Sequence, residues 1–145
     1  LLLVGDGPER QNVEKLTRQV CMEDDVYFLG KQEAVEELLA IADLFVLPSE
    51  TESFGLAALE AMACEVPVIS TNTGGIPEIN VQGVTGYLSN VGDVDDMAAN
   101  AIKILSDEST LLQFRKNAIA QANKFSLDSI LPMYEAYYRK VIEQK

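Results

Sequence analysis

A short apolar run followed by a segment with helical spacing recurs four times in the first half of this chain, and this alternation most restricts its fold. Leu1-Leu2-Leu3-Val4 is apolar on both faces, as strands covered by helices are. Gly5-Asp6-Gly7-Pro8 breaks it, and residues 8–21 read as a helix with Pro8 at the first helical position, where its missing N–H costs nothing. Residues 26–29 form a second strand closed by Gly30, residues 32–42 a helix, and residues 44–47 a third strand stopped by Pro48. Leu56, Leu59, Glu60 and Ala63 then recur at helical spacing, and Pro67 opens a strand over residues 68–70. Thr73-Gly74-Gly75-Ile76-Pro77-Glu78 is a turn into a short helical piece, and Gly86-Tyr87-Leu88 a last short strand. From residue 94 the pattern is helical, with breaks near Asp107 and Ser126. The Ser126 hydroxyl is expected to cap the last helix, and Pro132 to kink it. The expected fold is α/β: a doubly wound parallel sheet with helices on both faces, truncated at its N-terminal edge and followed by a helical C-terminal segment. The loops after Val4, Leu29, Leu47 and Ser70 should share one rim, where such sheets bind ligands.

Composition narrows the chemistry. At 145 residues the chain fits one domain, and 48% apolar with 23% charged residues excludes disordered and collagenous classes. A net charge of −12 argues against a nucleic-acid or anionic-membrane surface, so a bound phosphate must be held locally. With no His, a His-based triad, a His general base and a His-ligated metal are all excluded. Cys21 and Cys64 lack CxxC spacing and are expected to be core thiols in a reducing, cytoplasmic setting. No apolar run approaches the roughly 20 residues of a membrane span, and a basic-then-apolar leader is not expected. The abrupt opening on a strand reads as a cut edge, which leaves an edge open to a possible homo-oligomer.

The stretch most suggestive of chemistry runs from Pro48 to Ala63. A helix starting there presents unpaired N–H groups near Phe54, Gly55, Leu56 and Ala57 above the sheet edge, which attracts phosphate even on an acidic protein. Gly55 would let a ligand approach. Glu60 lies roughly 7 Å further along the helix axis, and Glu52 projects from the loop before it. Carboxylates accept two O–H donors and so suit the vicinal hydroxyls of a sugar or ribose. A plainer reading fits the same residues equally: Glu52 caps the helix, and Glu60 sits on its solvated face.

Glu52-Ser53-Phe54-Gly55-Leu56 followed by Glu60-Ala61-Met62-Ala63 resembles the paired-glutamate motif of retaining, nucleotide-sugar-dependent glycosyltransferases with the GT-B fold, seven residues separating the glutamates. Leu3-Val4-Gly5-Asp6-Gly7-Pro8, Phe28-Leu29-Gly30, Val66-Pro67-Val68-Ile69, Gly74-Gly75-Ile76-Pro77-Glu78 and Gly86-Tyr87-Leu88 follow in the order that family shows. The resemblance implies a Rossmann-like C-terminal domain in which Glu52 contacts the donor sugar and positions its anomeric centre. It implies that Glu60 binds the ribose hydroxyls, that the amides of Phe54, Gly55, Leu56 and Ala57 face sugar and diphosphate, and that Gly30, Lys31 and Gln32 hold the base. No metal and no cofactor are implied, because fixed donors and basic side chains stabilise the leaving diphosphate. Residues 57–64, 72–75 and 92–97 look most like members that serve bacillithiol biosynthesis, which implies UDP-N-acetylglucosamine as donor and L-malate as acceptor.

Residues 1–125 are then a partial donor-binding domain and residues 126–145 a helix packing back toward an N-terminal domain. That domain and the basic clamp on the diphosphate lie upstream of Leu1 in the family, so this stretch alone is expected to be inactive. Ile130, Tyr134 and Val141 should be partly exposed. Two departures concern packing: Glu65 stands where relatives often place Gly, and Leu127 where they place Trp. Other features read as structure: Gly5-Asp6-Gly7-Pro8 lacks the remaining residues of a P-loop or dinucleotide fingerprint, and Asp93, Asp95 and Asp96 lack EF-hand spacing. The glycines of Gly74-Gly75 suit a turn or a ligand approach about equally. A non-catalytic doubly wound docking module, or a transferase using another donor and acceptor such as GDP-mannose or UDP-glucose with a lipid or glycan, remain the alternatives.

Overall fold

The computed structural model describes residues 1–144, and the chain divides into two compact units, Leu1–Val35 and a second that begins at Glu36. The first unit is β1 (Leu2–Val4), α1 (Arg10–Gln19) and β2 (Tyr27–Gly30), with β1 parallel to β2 and Leu2 opposite Tyr27. Gly5 N donates to Gly30 O at 2.8 Å, so the loops after these two strands meet, as expected of a shared rim. Pro8 precedes the cap residue Glu9 and does not occupy the first helical position. Gly7 O accepts from Arg10 N at 3.2 Å, and this turn delays the helix by two residues.

Cys21 is exposed and Cys64 only partly buried, which corrects the expectation of core thiols. Cys21 follows the C-cap of α1 with φ +55, and Met22 N reaches back to Thr17 O at 3.0 Å. This left-handed ending turns the side chain off the helix face that would have buried it.

Helix α2 (Val35–Leu39) starts at the last residue of the first unit, and in the second follow β3 (Phe45–Leu47), α3 (Leu56–Ala63), β4 (Val68–Thr71), α4 (Ile76–Ile79), β5 (Gly86–Ser89), α5 (Val94–Leu105), α6 (Glu108–Ala122), a 3₁₀ turn (Asn123–Phe125) and α7 (Leu127–Glu143). Strand order is β3-β4-β5, all parallel, so the described strands form two ladders, β1-β2 and β3-β4-β5. All four residues of β4 are buried, Ser70 and Thr71 included, whereas Leu2 and Val4 of the apolar run in β1 are exposed, which corrects the expectation that this run is covered on both faces. Ile69 packs with Met97, Ile104 and Phe114 from α5 and α6, and the Tyr87 ring lies 5.6 Å from that of Phe114. On α3 the buried side is Ala58, Ala61 and Met62, each 0% exposed. Buried Asn80 satisfies the polar groups between β4 and β5: its Nδ2 lies 2.8 Å from Ser70 Oγ and 3.2 Å from Tyr87 O, and its Oδ1 accepts from Thr85 Oγ1 at 2.9 Å.

Helix ends follow the acids. Asp93 accepts from Asp96 N at 3.1 Å and caps α5, and Asp107 accepts from Thr110 N at 2.7 Å and caps α6. Ser126 stands at the cap position of α7, but its hydroxyl pairs with Ser129 Oγ at 2.9 Å and caps no amide, contrary to expectation. Helix α7 continues through Pro132 and buries none of its described side chains. Tyr134 and Val141 are exposed and Ile130 is partly so.

Glu65 has φ +62, with Val66 N bonded to Ala61 O at 2.9 Å and Glu65 N to Met62 O at 3.1 Å. The backbone there therefore has the left-handed conformation that glycine adopts freely. Glu65→Gly is expected to stabilise the fold by about 0.5–1 kcal/mol, read from a urea denaturation midpoint; an unchanged or lower midpoint would contradict this strain. Hydrogen bonds from Ser109, from the Thr110 hydroxyl and from the Thr110 amide hold the Asp107 carboxyl below its ordinary value of 3.8. Its stabilisation is complete above that value and is lost as pH falls through the lower folded value. Asp107→Ala should thus lower the thermal midpoint at pH 7, and the gap from wild type should shrink below pH 3.8; a gap independent of pH would contradict the cap.

Candidate functional site

The site residues of the second unit lie on the connection from β3 to α3. Pairing of β3 with β4 sets Leu47 opposite Ser70, so the loops leaving both strands emerge side by side. The β3–α3 loop is then tied to the residues after β4: Thr71 Oγ1 donates to Ser49 O at 2.5 Å, Thr73 Oγ1 to Glu50 O at 3.3 Å, and Gly75 N to Ser53 O at 3.1 Å. The polar loop is thus ordered through its main-chain carbonyls.

Gly55 is the N-cap of α3, with φ +93 and no side-chain cap. Its φ favours glycine by conformation, and a Cβ there would sit 3.1 Å from Ile79 Cδ1 and 3.3 Å from Ile76 Cγ1, a tight fit under α3 that those side chains would have to ease by a few tenths of an ångström. Among the described residues, the amides of Phe54, Leu56 and Ala57 donate to no protein acceptor, and Leu56 and Ala57 are exposed. The helix start therefore offers unpaired donors at its positive end.

Glu52 is partly buried and its Oε1 accepts from Ser53 N at 3.0 Å. It does not cap α3, which removes one half of the plainer reading. Glu60 is exposed on the side of α3 opposite the buried residues and enters no ion pair among the described residues. It lines a cleft of about 300 Å³ with Leu56, Leu59, Ala63 and the segment Ala122, Asn123, Phe125 and Ser126. Glu52 does not line that cleft. Phe54 meets Phe125 edge to face, with ring centroids 5.8 Å apart, so the 3₁₀ turn braces the start of α3 from the cleft side.

In the first unit, Gly30 ends β2 with φ +66, Lys31 is exposed, and Gln32 Nε2 donates to Leu29 O at 2.6 Å. Two contributions escaped the sequence pattern. Thr71 falls between the strand and the turn read from the sequence, Thr73 reads only as turn, and Asn123 to Phe125 only as the approach to a break near Ser126. Their contacts join residues far apart in the chain, for which periodicity carries no signal. No Lys or Arg occurs between residues 48 and 64, so the amides are the positive groups of this stretch.

Comparison with known proteins identifies the family. The family model for glycosyl transferases group 1 matches residues 1–121. N-acetyl-alpha-D-glucosaminyl L-malate synthase of Bacillus anthracis is 48% identical over 143 residues, covering 98% of this chain and 38% of the relative. Sulfoquinovosyl transferase SQD2 of Arabidopsis thaliana is 35% identical over 86% of the chain and 25% of its own length. The crystal structure of Anabaena HepE in complex with UDP superposes with a TM-score of 0.87 at 29% identity, over 96% of this chain and 40% of that one. The chain thus spans well under half the length of each of these relatives, and its α/β architecture is that of the Rossmann-like C-terminal domain of GT-B enzymes. With the match running from the first strand through α6, the chain belongs to the family of group 1 glycosyl transferases.

Proposed function

We propose that this chain is the donor-binding part of a retaining glycosyltransferase that transfers N-acetylglucosamine from UDP-N-acetylglucosamine to L-malate. The observation that carries the reading is the start of α3, where unpaired amides at Phe54, Leu56 and Ala57 stand one to two turns from the exposed carboxylate of Glu60. That spacing suits a diphosphate joined to a ribose. In this reading Glu52 holds the donor sugar and its anomeric centre, the α3 amides take the diphosphate, Glu60 takes the ribose hydroxyls, and Gly30, Lys31 and Gln32 hold the base. Negative charge grows on the diphosphate as the bond to the sugar breaks, and fixed N–H donors stabilise it without reorganising and without a metal.

The uridine diphosphate part of the proposal is supported by the UDP in the HepE structure. The sugar and the acceptor are supported by the relative at 48% identity; the relative at 35% is named for a different sugar. Because the chain covers 38% of the first relative, the acceptor pocket is assigned to sequence outside residues 1–145. Helix α7, with Leu127 74% and Ile142 72% exposed, is assigned to packing against that part.

Calorimetric titration of the full-length protein with UDP and GDP, without added metal, tests the donor assignment. UDP should bind in preference to GDP; silence toward both would favour the docking-module alternative. Glu60→Gln should weaken UDP about tenfold, as loss of a hydrogen bond to a charged acceptor does. Glu52→Gln should lower turnover more than UDP affinity. Equal UDP affinity in wild type and Glu60→Gln would remove the ribose assignment.

A further inference from the structure

The tightest packing near the site is main chain against main chain. Gly74 has φ +55, and a Cβ built on it would lie 1.5 Å from Glu52 O, 2.7 Å from Glu52 C and 3.5 Å from Glu52 Cα. A Cβ on Gly75 would lie 2.6 Å from Ser53 O and 3.0 Å from Phe54 Cα. The atoms approached are backbone, so no change of rotamer relieves the overlap, and a side chain at residue 74 must push the Glu52 peptide away. The same turn bonds the loop on either side of that contact, through Thr73 Oγ1 to Glu50 O and Gly75 N to Ser53 O. One three-residue turn therefore touches Glu50, Glu52, Ser53 and Phe54. Gly83 also has positive φ, at +71, yet nothing lies within 4 Å of a Cβ placed there.

We propose that Thr73, Gly74 and Gly75 are the positioning residues of the donor-sugar site, setting the height of the Glu52 main chain and hence of its carboxylate relative to the α3 amides. The proposal rests on the reading of Glu52 as the donor-sugar contact. Gly74 acts by having no side chain, Gly75 by its amide and its close approach, and Thr73 by its hydroxyl. A displacement of about 1 Å in such a group is enough to cost about a hundredfold in rate while leaving the bound nucleotide half untouched.

The test compares wild type, Gly74→Ala, Gly83→Ala, Thr73→Val and Thr73→Ser in the full-length protein, measuring UDP affinity by calorimetry and turnover of UDP-N-acetylglucosamine with L-malate. Gly74→Ala is expected to lose about a hundredfold in turnover with UDP affinity within about threefold of wild type. Gly83→Ala, equally strained in φ but unobstructed, should keep both. Thr73→Val should lose turnover several-fold at unchanged UDP affinity, and Thr73→Ser should restore it. Turnover of folded Gly74→Ala near wild type, or loss of UDP affinity in parallel with turnover, would overturn the positioning role. If circular dichroism shows Gly74→Ala unfolded, the Thr73 pair decides, and an undiminished Thr73→Val overturns the proposal. Wild type that fails to bind UDP is a separate outcome, which overturns the donor-site reading itself.

Discussion

Parallel pairing of β3 with β4 is the interaction on which the candidate site depends. With Phe45 opposite Val68 and Leu47 opposite Ser70, both chains leave the sheet at the same level and in the same direction. The loop that carries Glu52 then has a neighbour built of Thr71, Thr73, Gly74 and Gly75, and its carbonyls find donors there. A slip of one residue would turn the buried side chains of β4 to opposite faces and pull these loops out of step. On its other side β4 is tied to β5 by Asn80, whose amide binds the Val68 and Tyr87 carbonyls and the Ser70 hydroxyl.

Much of this was legible in the sequence because run length and breaker residues carry direct physical meaning. Runs of three or four apolar residues stopped by Gly30 or Pro48 cannot be amphipathic helices, and the spacing of Leu56, Leu59 and Ala63 cannot be a strand. The special backbone at Glu65 was signalled only by the resemblance, whose members often place Gly there. What escaped depends on contacts between distant residues or on local competition. Gly55 reads as an opening for a ligand, and the sequence carries no sign that a side chain there would also crowd Ile76 and Ile79. Cys21 reads as core, but a left-handed ending at +55 turns it outward. Ser126 has the chemistry of a cap and the position of one, yet Ser129 takes its hydroxyl.

The paired glutamates show the same division. Their spacing was visible at once, while the difference between them was not. Glu52 sits in a loop, partly buried, with its main chain in contact with Gly74 and its carboxylate turned to Ser53 N. Glu60 stands free on the outer face of α3 beside a mostly apolar cleft. A constrained carboxylate suits a reacting sugar, whose geometry must be fixed, and an exposed one suits hydroxyls that only need to be bound.

A crystal structure of the full-length protein with UDP-N-acetylglucosamine tests the donor site at the start of α3. Diphosphate oxygens are expected within hydrogen-bond distance of the amides at Phe54, Leu56 and Ala57, ribose hydroxyls on Glu60, and the sugar against Glu52. A nucleotide bound away from the start of α3, with Glu52 and Glu60 in solvent, would contradict this placement.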